Sequence, residues 1–133
     1  MGSDTSVTIA SIADIVKARQ QGRALATELG FVDSDLTLIA AAISEVARNI
    51  VDHAQNGQIR LTFDNHGSRR GILIVASDHG PGIPDVDQAM QYGFSTNNGL
   101  GVGLPGAKWL MDEFEINSRM GKGTTVTMKK WLP

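Results

Sequence analysis

The chain has 133 residues, a formal net charge of −2 at pH 7, 41% hydrophobic and 20% charged residues, and no cysteine. This length fits one domain spanning residues 1–133, with no weight given to residues 1–3, and the composition is that of an ordinary globular protein. The near-neutral charge, without a basic run, does not favour a nucleic-acid or membrane partner, and no apolar stretch approaches the ~20 residues that span a bilayer. The absence of cysteine excludes disulfides and thiol chemistry and fits a reducing compartment, so a cytoplasmic protein is expected.

Hydrophobic periodicity and turn residues divide the chain into helices and strands. The predicted elements, in chain order, are a strand at 7–10, a helix from Ser11 to Gly30, a helix at 33–54, strands at 57–63 and 72–78 joined by a loop at 65–71, a short helix at 85–91 within a loop-like stretch, a helix at 104–114, and a closing hairpin of 114–120 and 124–131. They sum to an α+β two-layer sandwich.

Capping residues support both long helices. Ser11 and Asp14 have the spacing of a capping box, and the helix that follows carries Val16 and other apolar residues at helical spacing. Asp33 or Ser34 is the expected cap of the second helix, which has the clearest i, i+3, i+4, i+7 pattern.

Two polar residues lie beside the apolar stripe of the second helix. Glu45 and Asn49 are four residues apart, so at about 100° per residue they share one side of the helix. Carboxylate and amide oxygens suit Mg²⁺, and a Glu in this position can act as a general base. The spacing alone is more typical of solvated surface residues, and the same holds for His53, which continues the row.

The segment "DHGPGIP" at 78–84 follows a predicted buried strand. Asp78 is an acceptor suited to an exocyclic amine, and Gly80 and Gly82 let the backbone approach a flat ligand or adopt a positive φ. Asp-x-Gly after a strand is also a common turn, so this segment alone does not decide between the two.

A second glycine-rich segment, "GLGVGLPG" at 99–106, opens the fourth predicted helix. Backbone N–H groups at a helix start form an anion cradle, although the spacing fits neither a Rossmann fingerprint nor a Walker A loop. Lys108 either adds charge near a phosphate or is an ordinary surface lysine. The polar stretch 94–99 between the glycine segments suits a mobile lid or a plain surface loop.

The order of these motifs carries more information than any one of them. "ISEVARNI", "DHGPGIP" and "GLGVGLPG", followed by "GKGTT" before the last strand, resemble the N, G1 and G2 boxes of the GHKL family, which includes histidine kinases, gyrase B, Hsp90 and MutL. The resemblance covers essentially the whole chain. It implies the Bergerat ATP-binding fold, a mixed, mostly antiparallel sheet with helices on one face, and ATP and Mg²⁺ as cofactors.

The resemblance also implies roles for matching positions. Asn49 coordinates Mg²⁺, and Glu45 orients or deprotonates the attacking hydroxyl. Asp78 accepts from the adenine amine, Gly82 lies beside the ring, and Thr124 helps to hold adenine through water. The other implied ATP-binding residues are Gly80, Gly99, Leu100, Gly101, Gly103 and Leu104. No role follows for His79.

Within the family, "AISEVARNI" and "YGFSTNNGLGVGLPGAKWLMDEFEI" resemble small bacterial serine/threonine kinases that control sigma factors, above all the stressosome switch kinases. This implies phosphorylation of STAS-domain proteins, followed by binding and activation of a PP2C-type phosphatase. One alternative is an anti-sigma factor kinase that binds a sigma factor directly. Another is a non-catalytic ATP-gated binding module, against which Glu45 argues. A detached histidine kinase domain is disfavoured, because no dimerising helical hairpin with a phosphoacceptor His is apparent.

Overall fold

A five-stranded antiparallel sheet organises the fold. The structure, a computed structural model, describes residues 4–91 and 103–133. The strands are β1 (Thr5–Ile9), β2 (Gly57–His66), β3 (Arg69–Asp78), β4 (Glu113–Arg119) and β5 (Gly123–Trp131). They lie in the order β1-β2-β3-β5-β4, and each of the four pairings is antiparallel. The described strands therefore agree with the mostly antiparallel expectation, without a parallel pair among them.

Helices cover one face of this sheet. The long helices α1 (Ile12–Leu29) and α2 (Asp33–His53) pack on it, and α4 (Gly103–Leu110) packs against α2. The short helix α3 (Val86–Ala89) has no buried residue. In β3, Ile72, Ile74 and Ala76 point towards the helices and are buried, whereas the alternate residues are half-buried on the opposite face. None of the helices in the described parts of the chain is long and apolar enough to cross a membrane.

The start and end of α1 follow the sequence prediction. The Asp14 carboxylate accepts from the backbone N–H of Ser11 at 3.1 Å, as in the predicted capping box, and also from the backbone N–H of Ala10 at 2.8 Å. At its end, Gly30 adopts a left-handed φ of 111°. Val16, however, is exposed rather than part of the buried stripe.

The long helix α2 has a buried apolar face but a different cap from the one predicted. Its N-cap residue is Val32, without a side-chain cap, so neither Asp33 nor Ser34 caps it. Asp33 and Asp35 lie in the first turn instead, where their negative charges interact favourably with the positive end of the helix dipole. Against α1, α2 packs so closely that a Cβ on Gly22 would overlap the Ile43 side chain.

Two predicted boundaries are wrong for the same reason. The expected loop at 65–71 is mostly strand, because β2 pairs with β3 as far as His66 and Arg69 and leaves a two-residue turn. The helix expected to reach Phe114 ends at Leu110, since Phe114 pairs with Met128 in the sheet. In both places strand pairing overrides the local pattern.

Candidate active site

Glu45 and Asn49 lie on one side of α2, next to its buried face. Both are half-buried, while the neighbouring Val46 and Ile50 are each 1% exposed. This is the flanking position expected from their spacing. His53 ends the helix and is exposed.

A hydrogen bond connects Glu45 to the start of α4. The backbone N–H of Gly103 donates to Glu45 Oε1 at 3.0 Å. Gly103 has a φ of 69°, the left-handed conformation that favours glycine, as the chain enters the helix. A carboxylate therefore lies at the positive end of α4, in the kind of position where helices also bind phosphate.

Asp78 ends β3 on the helix-covered face and is 9% exposed. Its Oδ1 accepts from the backbone N–H groups of Gly80 at 2.9 Å and Thr124 at 3.2 Å. Within residues 4–91 and 103–133, no hydrogen bond reaches the second oxygen, Oδ2. One oxygen of this carboxylate thus orders two backbone segments, and the other can still accept a hydrogen bond from a ligand.

Ser118 is a site residue that the sequence analysis missed. Thr124, which is 5% exposed, shares a hydrogen bond of 2.8 Å between its Oγ1 and Ser118 Oγ. Ser118 Oγ also accepts from the backbone N–H of Ile83 at 2.7 Å. The side chain thereby connects the β4–β5 hairpin to the loop after Asp78. The available signal was register alone, since Ser118 pairs with Thr124 in the sheet.

The two glycines after Asp78 are required by packing within the protein. A Cβ on Gly80 would lie 2.6 Å from Ala54 Cβ, just past the end of α2. Gly82 has a φ of 86°, and a Cβ there would lie 2.5 Å from the Arg119 carbonyl oxygen. Close approach of the backbone was expected, but the observed neighbours are the chain's own helix and hairpin. Their predicted contacts with ATP stay predictions.

The remaining predicted residues differ in their exposure, and three of the predicted ATP-binding residues lie outside the described parts of the chain. Leu104 is 6% exposed and belongs to the hydrophobic core, so a nucleotide can meet it chiefly through its backbone. Lys108 and His79 are exposed. Gly99, Leu100 and Gly101 lie outside the described residues, as does the predicted lid at 94–99.

Helix α2 is the wall that joins the two halves of the site. Glu45 meets the start of α4, and Ala54, the residue that follows the last residue of α2, meets Gly80 in the loop after Asp78. Glu45 and Ala54 are nine positions apart in the sequence, which corresponds to about 13.5 Å along the axis of α2. An elongated ligand with an amine-bearing end and an anionic end fits this arrangement of acceptor and backbone donors.

Residues 9–130 match the histidine kinase-like ATPase domain family. The chain belongs to this family. The match spans nearly all of the described sheet and helices, and it confirms the family expected from the order of the glycine-rich motifs. Membership of this family implies that the protein uses ATP.

Curated relatives include a kinase of similar length. The chain is 50% identical over 132 residues to the serine/threonine-protein kinase RsbT of Bacillus subtilis (strain 168), which covers 99% of both chains. It is 34% identical over 119 residues to an anti-sigma F factor of Thermoanaerobacter sp. (strain X514), covering 86% of this chain and 83% of the relative. These similarities confirm the predicted enzyme class, a protein kinase of the serine/threonine type.

Solved structures with the same fold are histidine kinase domains. The mycobacterial sensor histidine kinase MprB superposes with a TM-score of 0.58 at 17% identity, covering 97% of each chain. The catalytic domain of histidine kinase ThkA superposes with a TM-score of 0.54 at 16% identity, covering 95% of each chain. The α+β fold of the histidine kinase-like ATPase domain is confirmed, and at these identities the likeness extends to the fold alone.

Proposed function

We propose that this protein is an ATP-dependent serine/threonine kinase of a bacterial partner-switching pathway, with STAS-domain proteins as its substrates. The observation that carries the proposal is the pairing of Glu45 with the N-terminal amide of α4, 3.0 Å from Oε1. A candidate base thus lies beside backbone donors suited to phosphate. The 50% identity to a serine/threonine-protein kinase over almost the full length supports the same conclusion.

ATP would lie along α2, with its adenine at Asp78 and its phosphates at the start of α4. The Oδ2 oxygen of the buried Asp78 carboxylate, to which no residue in 4–91 or 103–133 donates, suits the exocyclic amine of adenine, and Thr124 holds that carboxylate in place. The amide of Gly103 would donate to phosphate, with Gly99 and Gly101 as further proposed contacts.

Asn49 would hold the magnesium ion that accompanies ATP. Its amide oxygen is a hard donor, half-buried and one helical turn from Glu45. Mg²⁺ takes few protein ligands when phosphates and water supply the others, so one amide from the protein fits the ion. When bound, Mg²⁺ neutralises charge on the transferring phosphoryl group.

Phosphoryl transfer would exchange one phosphorus–oxygen bond for another. The bond between the γ-phosphorus and the β–γ bridging oxygen breaks, and a bond forms from the acceptor serine or threonine oxygen to phosphorus. Glu45 orients that hydroxyl and takes its proton, while backbone donors hold the phosphates. The products are ADP and a phosphorylated partner.

The second part of the proposal is a binding role after phosphorylation. The kinase leaves its phosphorylated STAS-domain substrate and binds a PP2C-type phosphatase, which it activates in the cytoplasm. A direct complex with a sigma factor is the competing function, favoured by the 34% identity to an anti-sigma F factor. Co-purification from the native organism separates the two: a phosphatase supports our proposal, and a sigma factor supports the alternative.

The kinase reaction is tested by phosphate transfer from labelled ATP to a STAS-domain protein from the same genome. We expect Glu45→Gln to lower the transfer rate by about 10²–10⁴-fold while ATP still binds, because a general base is lost. Asn49→Ala should lower both transfer and magnesium-dependent ATP binding.

A matched control for Asn49→Ala is Asn56→Ala, which removes an exposed amide just beyond α2 and should leave transfer unchanged. Wild-type protein that transfers no phosphate, or an Asn49→Ala variant as active as wild type, contradicts the catalytic assignment. Tight ATP binding without transfer to any acceptor would favour an ATP-gated binding module instead.

A further inference from the structure

An open pocket lies at the end of the sheet, on the face turned away from the helices. Its volume is about 430 Å³. Ser77, Thr125 and Asn117 form one register row across β3, β5 and β4, and they line this pocket side by side. The other residues that line the pocket are Asp78, His79, Arg119, Lys122 and Gly123.

Several side chains that line the pocket can donate hydrogen bonds. Arg119 and Lys122 are both exposed, and neither forms an ion pair with a residue in 4–91 or 103–133. The hydroxyls of Ser77 and Thr125 and the amide of Asn117 can donate from the pocket wall. Two cationic side chains and three neutral polar side chains thus line one open volume.

This pocket shares Asp78 with the proposed nucleotide site, but the three polar side chains of its register row lie on the opposite face of the sheet. In β5, Thr124 lies on the helix-covered face with Val126, and Thr125 lies on the other face. In β3, the buried Asp78 lies on the helix side and Ser77 on the outer side. A ligand among Ser77, Thr125 and Asn117 is therefore separated from the proposed adenine position by the sheet itself.

We propose that this pocket, which we name the outer-face pocket, binds a phosphate group, either free inorganic phosphate or a phosphate monoester. A phosphate dianion matches the two cations, whereas a carboxylate carries a single charge. Arginine presents a planar fork of N–H donors that fits phosphate oxygens, and Lys122 adds a point charge beside it. The serine, threonine and asparagine donors satisfy the remaining oxygens. This site is independent of the kinase activity proposed above.

The test follows backbone amide shifts by NMR in ¹⁵N-labelled full-length protein. Saturating ADP is present throughout, so that the phosphate-binding end of the nucleotide site is filled. Inorganic phosphate should shift the amides of Ser77, Asn117, Lys122 and Thr125 and saturate on the order of 1 mM, as expected for a small anion held by a few charged contacts. Binding should weaken in high salt, because these cations are exposed to solvent.

Variants identify the cations that bind the anion. Arg119→Gln and Lys122→Gln should each weaken phosphate binding by about threefold to fivefold, the scale of a single exposed charge contact, without changing ADP affinity. Lys17→Gln is the matched control, because it removes an exposed positive charge from α1 and should leave phosphate binding unchanged.

The two sources of the phosphate group are separated by comparing inorganic phosphate with N-acetyl-phosphoserine amide. Tighter binding of the phosphoserine compound assigns the pocket to a phosphorylated side chain, and tighter binding of inorganic phosphate assigns it to the free ion. Acetate that binds as tightly as phosphate, shifts confined to Gly103 and Leu104, or Arg119→Gln and Lys122→Gln variants that bind like wild type would each overturn the proposal.

Discussion

Asp78 combines a structural role with the proposed recognition of adenine, and two substitutions separate these roles. Asp78→Asn keeps the shape of the side chain and leaves one oxygen to accept from Gly80 and Thr124. Asp78→Ala removes both oxygens, so the backbone N–H groups now bonded at 2.9 and 3.2 Å lose their acceptor.

The structure sets different magnitudes for the two variants. An unsatisfied buried N–H costs about 1–3 kcal/mol, and Thr124 is only 5% exposed while Gly80 is half-buried. Asp78→Ala should therefore lower the free energy of unfolding by about 2–4 kcal/mol. Asp78→Asn keeps both bonds and loses only their charge assistance, so its cost should be about 1 kcal/mol.

Nucleotide affinity should fall clearly in Asp78→Asn, although this variant loses little stability. The amide of Asp78→Asn presents an N–H group to the adenine amine, which is also a donor, so ATP binding should weaken by about 1–3 kcal/mol. Guanine carries a carbonyl oxygen where adenine carries the amine. The same variant should therefore lose most of the wild-type preference for ATP over GTP.

Urea unfolding and isothermal titration calorimetry measure these effects. The buried Trp131, 8% exposed, reports unfolding by its fluorescence, and calorimetry gives the affinities for ATP and GTP. An Asp78→Asn variant with wild-type ATP affinity and an unchanged ATP-over-GTP ratio would refute the adenine role. An Asp78→Ala variant that unfolds at the wild-type urea concentration would refute the structural one.

Three further predictions concern the fold. Gly22→Ala should lower the free energy of unfolding by about 1–3 kcal/mol because its methyl group would overlap the Ile43 side chain, and Ile43→Val should relieve this loss in a double-mutant cycle measured by urea unfolding. Gly123→Ala should lower the free energy of unfolding by more than about 3 kcal/mol, because φ at Gly123 is 114° and the new Cβ would overlap the Asp78 carbonyl oxygen. The expected observation is a loss of soluble folded protein, and a variant as stable as wild type would contradict this. Backbone hydrogen bonding from Ala10, with smaller contributions from Ser11 and Lys17, holds the pKa of Asp14 below its usual range. The ionised carboxylate therefore stabilises the fold at pH values above the pKa that Asp14 has in the unfolded chain. This stabilisation is lost as the pH falls through the lower pKa that Asp14 has in the folded protein. Asp14→Asn should therefore destabilise the protein at pH 7, and its difference from wild type should shrink in acid denaturation followed by circular dichroism.

The parts of the fold that sequence reasoning predicted are those that local signals control. The capping box of α1 needs only Ser11 and Asp14, and the apolar period of α2 is regular over its whole length. The end of α4 and the turn near Gly67 depend on strands brought from elsewhere in the chain. The sequence around Phe114 predicts a helix, but Phe114 pairs with Met128 in the sheet, and this pairing determines its strand conformation.

The candidate site divides in the same way. The four-residue spacing of Glu45 and Asn49 was sufficient to place both side chains on the flank of α2. The contact of Glu45 with Gly103 joins residues 58 positions apart, and Ser118 bridges three segments, so local spacing indicates neither. The glycines after Asp78 have the positions expected of a ligand loop, yet Ala54 and Arg119 already account for Gly80 and Gly82.

The hydrogen bond between Glu45 and Gly103 has a consequence for the order of events in catalysis. The proposed base and the proposed phosphate group compete for the same backbone N–H. While that N–H is bonded to Glu45, the carboxylate is held at the helix start and one of its oxygens is engaged. An arriving phosphate that takes this N–H would break this hydrogen bond, and Oε1 could then turn towards the acceptor hydroxyl. ATP binding would then come before activation of the acceptor hydroxyl, because the hydrogen bond that holds Glu45 ends when a phosphate takes the Gly103 N–H.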